Sequence, residues 1–375
     1  MLHFELLKQS SEVQGSSKAN ARLGKITTDH GVIKTPVFMP VGTLGSVKSI
    51  SKEDLDHCGA QVILGNTYHL YLRPGCEVIE HMNGLHKFIS WNKPMLTDSG
   101  GFQFFSLARL AKFTDEGVSF QSHIDGSRHF FSPEKAVEIQ MILGSDIMMS
   151  LDWCIGYPAE EKQVMTALDK TTVWAKRGFD FWQEKGGMNN LFGIIQGGMF
   201  KHLRSLSAQQ ITQIDFPGFA IGGLSVGEPK ELMYEMADHT LPLLPQNKPR
   251  YIMGVGTPEN LVELVGMGCD MFDCVMPSRN ARNGQLFTSE GTINIPNARF
   301  KLDQNPIDGD CNCYTCQNYS RSYLRHLYKS KELLAYRLNT IHNIYYYNEL
   351  MQTMRTAIEQ ESFLEFKKEF YLKRQ

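Results

Sequence analysis

The sequence predicts an α/β fold: a (β/α)8 TIM barrel with an N-terminal antiparallel strand region and one inserted subdomain. Three observations carry that prediction. Eight short apolar runs alternate with longer stretches of helical periodicity, the rhythm of a parallel sheet. The 375 residues suffice for one such barrel with additions. Three Cys within six residues then break the rhythm near the C-terminal end. A doubly wound open sheet is the structural alternative.

The elements follow in chain order. Residues 21–26 and 32–41 flank Thr28-Asp29-His30-Gly31, a hairpin turn signal, so roughly the first 45 residues read as strands. The eight apolar runs are 36–41, 61–66, 94–98, 146–152, 191–196, 219–223, 250–254 and 271–275. Helices are expected over 52–57, 132–143, 160–184, 207–214, 229–241 and 258–265. Ser132-Pro133-Glu134 supplies a cap followed by proline at the first helical position. Residues 118–131, with Asp125-Gly126 at the turn, read as a hairpin inserted after the third run. Residues 1–375 are taken as a single barrel domain, with 281–348 an inserted metal-binding subdomain.

Composition narrows the function classes. With 42% hydrophobic and 21% charged residues, the chain is too apolar to be disordered. No apolar run approaches the roughly 18 residues of a membrane helix. Met1-Leu2-His3-Phe4-Glu5 lacks the basic-then-apolar pattern of a signal peptide, so a cytoplasmic protein with no membrane partner is expected. The net charge of −2 argues weakly against RNA as a partner. That average conceals an asymmetry. From Arg279 onward there are 14 Lys and Arg against 10 Asp and Glu, whereas the first 278 residues hold 24 basic and 30 acidic groups.

Chemistry in a barrel gathers at the C-terminal ends of the strands. There the sequence places Asp98-Ser99-Gly100-Gly101-Phe102-Gln103, Asp152, Gln196-Gly197-Gly198, Gly222-Gly223 and Asp273-Cys274. A single Asp at a strand end is most often a cap or loop hydrogen bond. Three on one rim, beside glycines that admit a flat ligand, suit a nucleophile and an acid/base, as in retaining glycosyl transfer.

Cys311, Cys313 and Cys316, with His342 or His326 as a fourth donor, form a zinc-type ligand set. Closed Cys3His sites are structural, so one structural Zn2+ per subunit is expected. Arg321, Arg325 and Lys329 recur on one helix face, which is as often plain solvated surface as a nucleic-acid footprint. Arg279 and Arg282 follow Asp273 closely and suit a phosphate-bearing substrate.

Taken in order, Asp98-Ser-Gly-Gly-Phe-Gln103, Gly222-Gly-Leu-Ser-Val-Gly-Glu228, Phe272-Asp-Cys-Val-Met-Pro277, Arg279-Asn-Ala-Arg282 and the Cys3His spacing resemble bacterial tRNA-guanine transglycosylase. This family is also called queuine tRNA-ribosyltransferase, and the resemblance runs from about residue 20 to 365. It implies exchange of guanine at the wobble position of tRNAs with a GUN anticodon (those for Asp, Asn, His and Tyr) for the free base preQ1, 7-aminomethyl-7-deazaguanine. Asp273 matches the nucleophile that forms a covalent ribosyl intermediate, and Asp98 the general acid/base. Ser99, Gly100, Gly101, Asp152, Cys154, Gln196, Gly222, Gly223, Leu224 and Val226 match the base-binding pocket. Phe102 and Met253 match the residues that sandwich the base. Two stretches match RNA contacts: Gly254, Val255, Gly256, Thr257, Pro258, Glu259 and Asn260, then Ser278, Arg279, Asn280, Ala281 and Arg282. Cys311, Cys313, Cys316 and His342 match the zinc ligands. The family is commonly a homodimer acting on one tRNA.

Trp153 departs from the Glu usual in bacterial members, Ser225 from Ala, Met276 from Leu and Ser278 from Thr. Queuine as the incoming base therefore stays open beside preQ1. Two rival functions also remain. A non-catalytic tRNA-binding subunit would not need Asp98 and Asp273. A carbohydrate-active barrel would use the same two carboxylates without tRNA.

Overall fold

All eight apolar runs form strands, and these close into a parallel barrel. In chain order the barrel strands are Val37–Gly42, Ile63–Gly65, Met95–Thr97, Ile147–Met149, Asn190–Ile195, Gly218–Ile221, Arg250–Ile252 and Met271–Cys274. The last pairs with the first, Phe272 beside Phe38, which completes the ring. The structure, a computed structural model, describes residues 3–14, 17–106 and 111–374.

The alternation of side chains along each strand sorts the core into two compartments. Met39, Val41, Leu64, Leu96, Ile147, Met149, Phe192, Ile194, Tyr251 and Met271 fill the barrel interior. Their neighbours Phe38, Leu191, Ile195, Ile252 and Phe272 face outward and pack beneath the helices. Asp273 shares the inward parity of Met271, so the chain alternation aims its carboxylate into the mouth of the barrel.

Local chemistry sets the helix starts. Ser51 and Asp54 form a reciprocal capping box on Lys52–His57. Ser132 caps Pro133–Leu143, which carries proline at its start. Thr257 and Asn260 box the start of Pro258–Gly266. The helix expected over 207–214 instead spans Lys201–Thr212. Its buried face is Leu203, Arg204, Ser207, Ala208 and Ile211. Two of those are polar, so hydrophobic periodicity reveals only its second half.

The connection between the second and third barrel strands holds three short helices that the periodicity does not show: Thr67–Leu72, Cys76–His81 and Leu85–Phe88. Pro74, Gly75 and Gly84 divide them before any completes a readable repeat. The inserted hairpin pairs Val118–Gln121 with Arg128–Phe131 and gains a third strand, Ala111–Phe113.

The N-terminal antiparallel sheet joins His3–Gln9, Arg22–Thr28 and Gly31–Thr35. Ile26 and Ile33 from this sheet are part of the barrel's interior cluster, so the sheet plugs the end opposite the mouth. The plug is fastened by Asp146, at the start of the fourth barrel strand. Its Oδ1 accepts from His30 Nδ1 at 2.8 Å, and its Oδ2 accepts from the Met95 amide at 2.9 Å and lies 3.2 Å from His86 Nε2. The His30 and His86 rings stack at 3.7 Å.

Beyond the barrel, Gln285–Thr288 and Gly291–Asn294 form a small hairpin, followed by helices Tyr314–Asn318, Arg321–Lys329, Leu333–Glu359 and Phe363–Leu372. Residue 348, the expected limit of the inserted segment, lies inside the continuous 27-residue helix Leu333–Glu359. Among the described residues no helix is long and apolar enough to cross a membrane.

Burial alone would raise the Asp146 pKa, but the two imidazoles and the Met95 amide outweigh it and hold the carboxyl below its ordinary value. A depressed folded-state pKa contributes stability present above the unfolded value and lost as pH falls through the folded one. Asp146→Ala is expected to cost about 3 kcal/mol in urea unfolding at neutral pH, because buried donors lose their acceptor. The difference from wild type should shrink at acidic pH. An equally stable variant at neutral pH would show that the clasp is idle.

Candidate active site and metal centre

The ends of the barrel strands surround one cavity of about 490 Å³. It is lined by Asp98, Ser99, Phe102, Asp152, Cys154, Gln196, Gly222, Gly223, Leu224, Val226, Met253, Gly254, Asp273 and Arg279, among others. Three carboxylates thus meet in a space of the size usual for small-ligand sites.

Each carboxylate has its own set of donors. Asp98 takes hydrogen bonds from Asn66 Nδ2 and, at 2.9 Å, from the Thr67 amide. Asp152 accepts from Gln196 Nε2 at 2.7 Å and from Ser99 Oγ at 3.0 Å. Asp273 Oδ1 accepts from Tyr251 Oη at 2.5 Å and from the Gly254 amide at 2.7 Å.

Burial pushes all three carboxyl pKa values upward. Asp98 rises furthest, to about 7, because the Asp273 and Asp152 charges add to its desolvation. Near neutrality Asp98 can therefore carry a proton. The two donors on Asp273 favour its ionised form. One carboxyl is suited to give a proton and the other to attack, a division of labour created by environment.

The glycines of the rim are close-approach positions. A Cβ on Gly101 would stand 2.5 Å from Asp152 Oδ1, and one on Gly223 would stand 2.4 Å from Gln196 Oε1. Gly223 also has a φ of +65°, where a side chain is strained. Gly100 and Gly101 shape the wall behind the cavity rather than lining it. Ser225 adopts a φ of +58°, and the Ser225 and Val226 amides both donate to the Glu228 carboxylate.

Trp153 does not face the cavity. Its ring stacks on Phe113 at 4.3 Å with the planes 5° apart. Its amide donates to Thr171 Oγ1.

Of the two RNA-type stretches, Gly254 and Arg279 are exposed and reach the cavity. Thr257 and Asn260 form the capping box of one helix, Pro258–Gly266, the Gly256 carbonyl accepts from Tyr347, and Glu259 pairs with Arg374. Val255, Pro258, Asn260, Ser278 and Ala281 are buried. Arg282 donates to the Ser278 carbonyl, and Asn280 donates to Gln285. On the predicted basic face, Arg321 pairs with Asp303 and Arg325 donates to the Asn297 carbonyl, while Lys329 is exposed.

Cys311, Cys313, Cys316 and His342 converge in a buried cluster that could hold a metal ion. His342 Nδ1 lies 3.6, 3.5 and 3.3 Å from the three Sγ atoms. Its Nε2 lies 2.7 Å from the Phe287 carbonyl, to which it donates. That bond selects the tautomer with a free Nδ1 lone pair facing the sulfurs, so the donor set fits a tetrahedral thiolate–imidazole site. His326 is exposed and outside the cluster, which decides between the two candidate donors.

Residues at or behind the cavity that the sequence does not single out include Asn66, Thr67, Tyr251 and Arg204. Asn66 ends an apolar run just as Asp98 does, and that rule would have found it. Tyr251 has the inward parity of Met253, and alternation would have found it. Nothing local marks Thr67 or Arg204.

A family model described as queuine tRNA-ribosyltransferase matches residues 16–375. The chain is 72% identical over 375 residues to the queuine tRNA-ribosyltransferase of Desulforapulum autotrophicum, with 100% of both chains covered. It is 59% identical over 357 residues to that of Desulfosudis oleivorans, covering 95% of this chain and 93% of the relative. With that of Caldanaerobacter subterraneus subsp. tengcongensis the identity is 56% over 365 residues, covering 96% of each. Similarity along the whole chain, around a cavity of this chemistry, makes this protein a member of the queuine tRNA-ribosyltransferase family, a pentosyltransferase of the tRNA-guanine transglycosylase type.

Proposed function

We propose that the enzyme exchanges guanine at the wobble position of GUN-anticodon tRNAs for preQ1, by two successive displacements at the ribose C1′. The observation that carries this reading is the pair of carboxyls in one cavity: Asp98, raised to about 7 by burial and the charges of Asp273 and Asp152, and Asp273, which accepts from Tyr251 and the Gly254 amide.

In the first displacement Asp273 attacks C1′ and guanine leaves as Asp98 gives it a proton. In the second, Asp98 takes a proton from the incoming base, which displaces Asp273. Two inversions retain the anomeric configuration. Asp152, Gln196 and the Gly223 amide bind the edge of the base, while Phe102 and Met253 cover its faces. The target nucleotide leaves its stack to enter the cavity, at modest cost in a single-stranded loop. Arg279 and Arg282 lie on the side from which the phosphates approach.

Cys154 and Val226 on the cavity wall favour preQ1 over the bulkier queuine. Trp153 packs away from the cavity and leaves that preference intact. The Cys3His cluster takes one structural Zn2+, which organises the segment from residue 281 onward and plays no part in the displacement. The working form is a cytoplasmic homodimer on one tRNA.

Three outcomes test these assignments. Incubation with tRNA followed by denaturing electrophoresis should give a protein–RNA band that Asp273→Asn abolishes; a wild-type protein that never forms it removes the double displacement. Labelled-guanine incorporation should fall above about pH 7 as Asp98 loses its proton, and Asp98→Ala should lower it roughly 100-fold or more. A flat profile between about pH 6 and 8 with an active Asp98→Ala would leave Asp98 structural. Cys316→Ser should lose zinc by elemental analysis and melt at a lower temperature, whereas full zinc content would refute the ligand assignment.

A further inference from the structure

Arg204 is fully buried on the helix Lys201–Thr212, directly behind the cavity wall. Its guanidinium hydrogen-bonds to four backbone carbonyls: Gly198 at 2.8 Å, Ile195 at 3.3 Å, Gly222 at 2.7 Å and Gly223 at 3.1 Å. These carbonyls close the fifth and sixth barrel strands, which also deliver Gln196 and Gly223 to the cavity. Among the described residues no carboxylate hydrogen-bonds to it. Burial lowers its pKa to about 10, so it remains a cation at neutral pH. A charge in this position is expensive unless it is used.

The geometry points to a use. The peptide between Gly222 and Gly223 is trans, so its C=O and N–H point in opposite directions. The C=O is held by Arg204, and the N–H therefore faces away from the guanidinium. It faces the Cys154 thiol, which lines the cavity. A charge-assisted hydrogen bond on a peptide oxygen draws electron density from that peptide and strengthens its N–H as a donor.

We propose that Arg204 is a positioning residue for base recognition: its guanidinium fixes and polarises the Gly222–Gly223 peptide so that the Gly223 N–H donates to the carbonyl oxygen of the bound purine. The inference rests on the transglycosylase reading, from which it takes the purine. It acts through the peptide and not by contact with the substrate.

Equilibrium binding of guanine and of 2-aminopurine, which lacks the 6-oxygen and with it the N1 proton, compared between wild type and the Arg204 variants, separates this role from a purely structural one. Wild type should prefer guanine. Arg204→Met should reduce that preference roughly ten-fold, and Arg204→Lys, which keeps the charge but reaches fewer carbonyls, roughly three-fold. Affinity for 2-aminopurine should stay within about two-fold in both. In steady-state exchange the loss should appear in the KM for guanine more than in kcat. If Arg204→Met does not fold, Arg204→Lys decides. A folded variant with the wild-type preference, or a wild type without any preference, overturns the proposal. A wild type that binds guanine selectively but never incorporates it into tRNA would remove the transglycosylase reading and leave the role of Arg204 standing.

Discussion

Three carboxylates buried around one cavity are the constraint on which the rest of the site depends. Each must be solvated by the protein once water is displaced. Donors therefore come from several strand ends: Thr67 and Asn66 after the second strand, Ser99 after the third, Gln196 after the fifth, Tyr251 and Gly254 on and after the seventh. A closed barrel can supply them because its inward-facing positions converge on one axis. Each carboxyl holds at least two donors, yet the charges of Asp273 and Asp152 add to the burial of Asp98 and raise its pKa to about 7. The difference between identical side chains here comes from where the neighbouring charges stand.

The Cys3His cluster and the barrel are joined by one long helix. Leu333–Glu359 carries His342 into the Cys cluster and, one turn further, sends Tyr347 to the Gly256 carbonyl. Asn343 on the same helix holds the Pro277 and Gln285 carbonyls and the Phe287 amide, and Asn339 holds the Ala281 carbonyl. The helix thus grips both ends of the segment that follows Asp273. A metal ion held by Cys311, Cys313, Cys316 and His342 would fix where that helix sits, and its influence would reach the rim without any bond to the cavity.

The barrel was legible because its strands are apolar on both faces and bounded by polar or glycine residues. The carboxylates were legible as polar groups ending those runs. What stayed hidden follows a consistent physics. Arg204 and Ser207 occupy the buried face of a helix and erase its apolar stripe, so half the helix and its buried cation were invisible together. The three short helices between Thr67 and Phe88 are cut by Pro and Gly before periodicity can register. The charge of Arg321 and Arg325 could be counted, but not its use on Asp303 and on local carbonyls. Trp153 looked threatening beside Asp152 because adjacency in sequence says nothing of direction. Neighbouring residues leaving a strand point to opposite sides, and its ring lies on Phe113.

The plug formed by Ile26 and Ile33 has a kinetic meaning. With its floor packed and fastened through Asp146, the barrel has, among the described residues, a single doorway. In the exchange proposed above, a base that leaves and a base that arrives would use that doorway in turn, since no rear exit lets one push the other through. A dead end of this shape would order the exchange, the first base departing before the second enters, and a ribosyl bond to Asp273 would hold the nucleic acid between the two events.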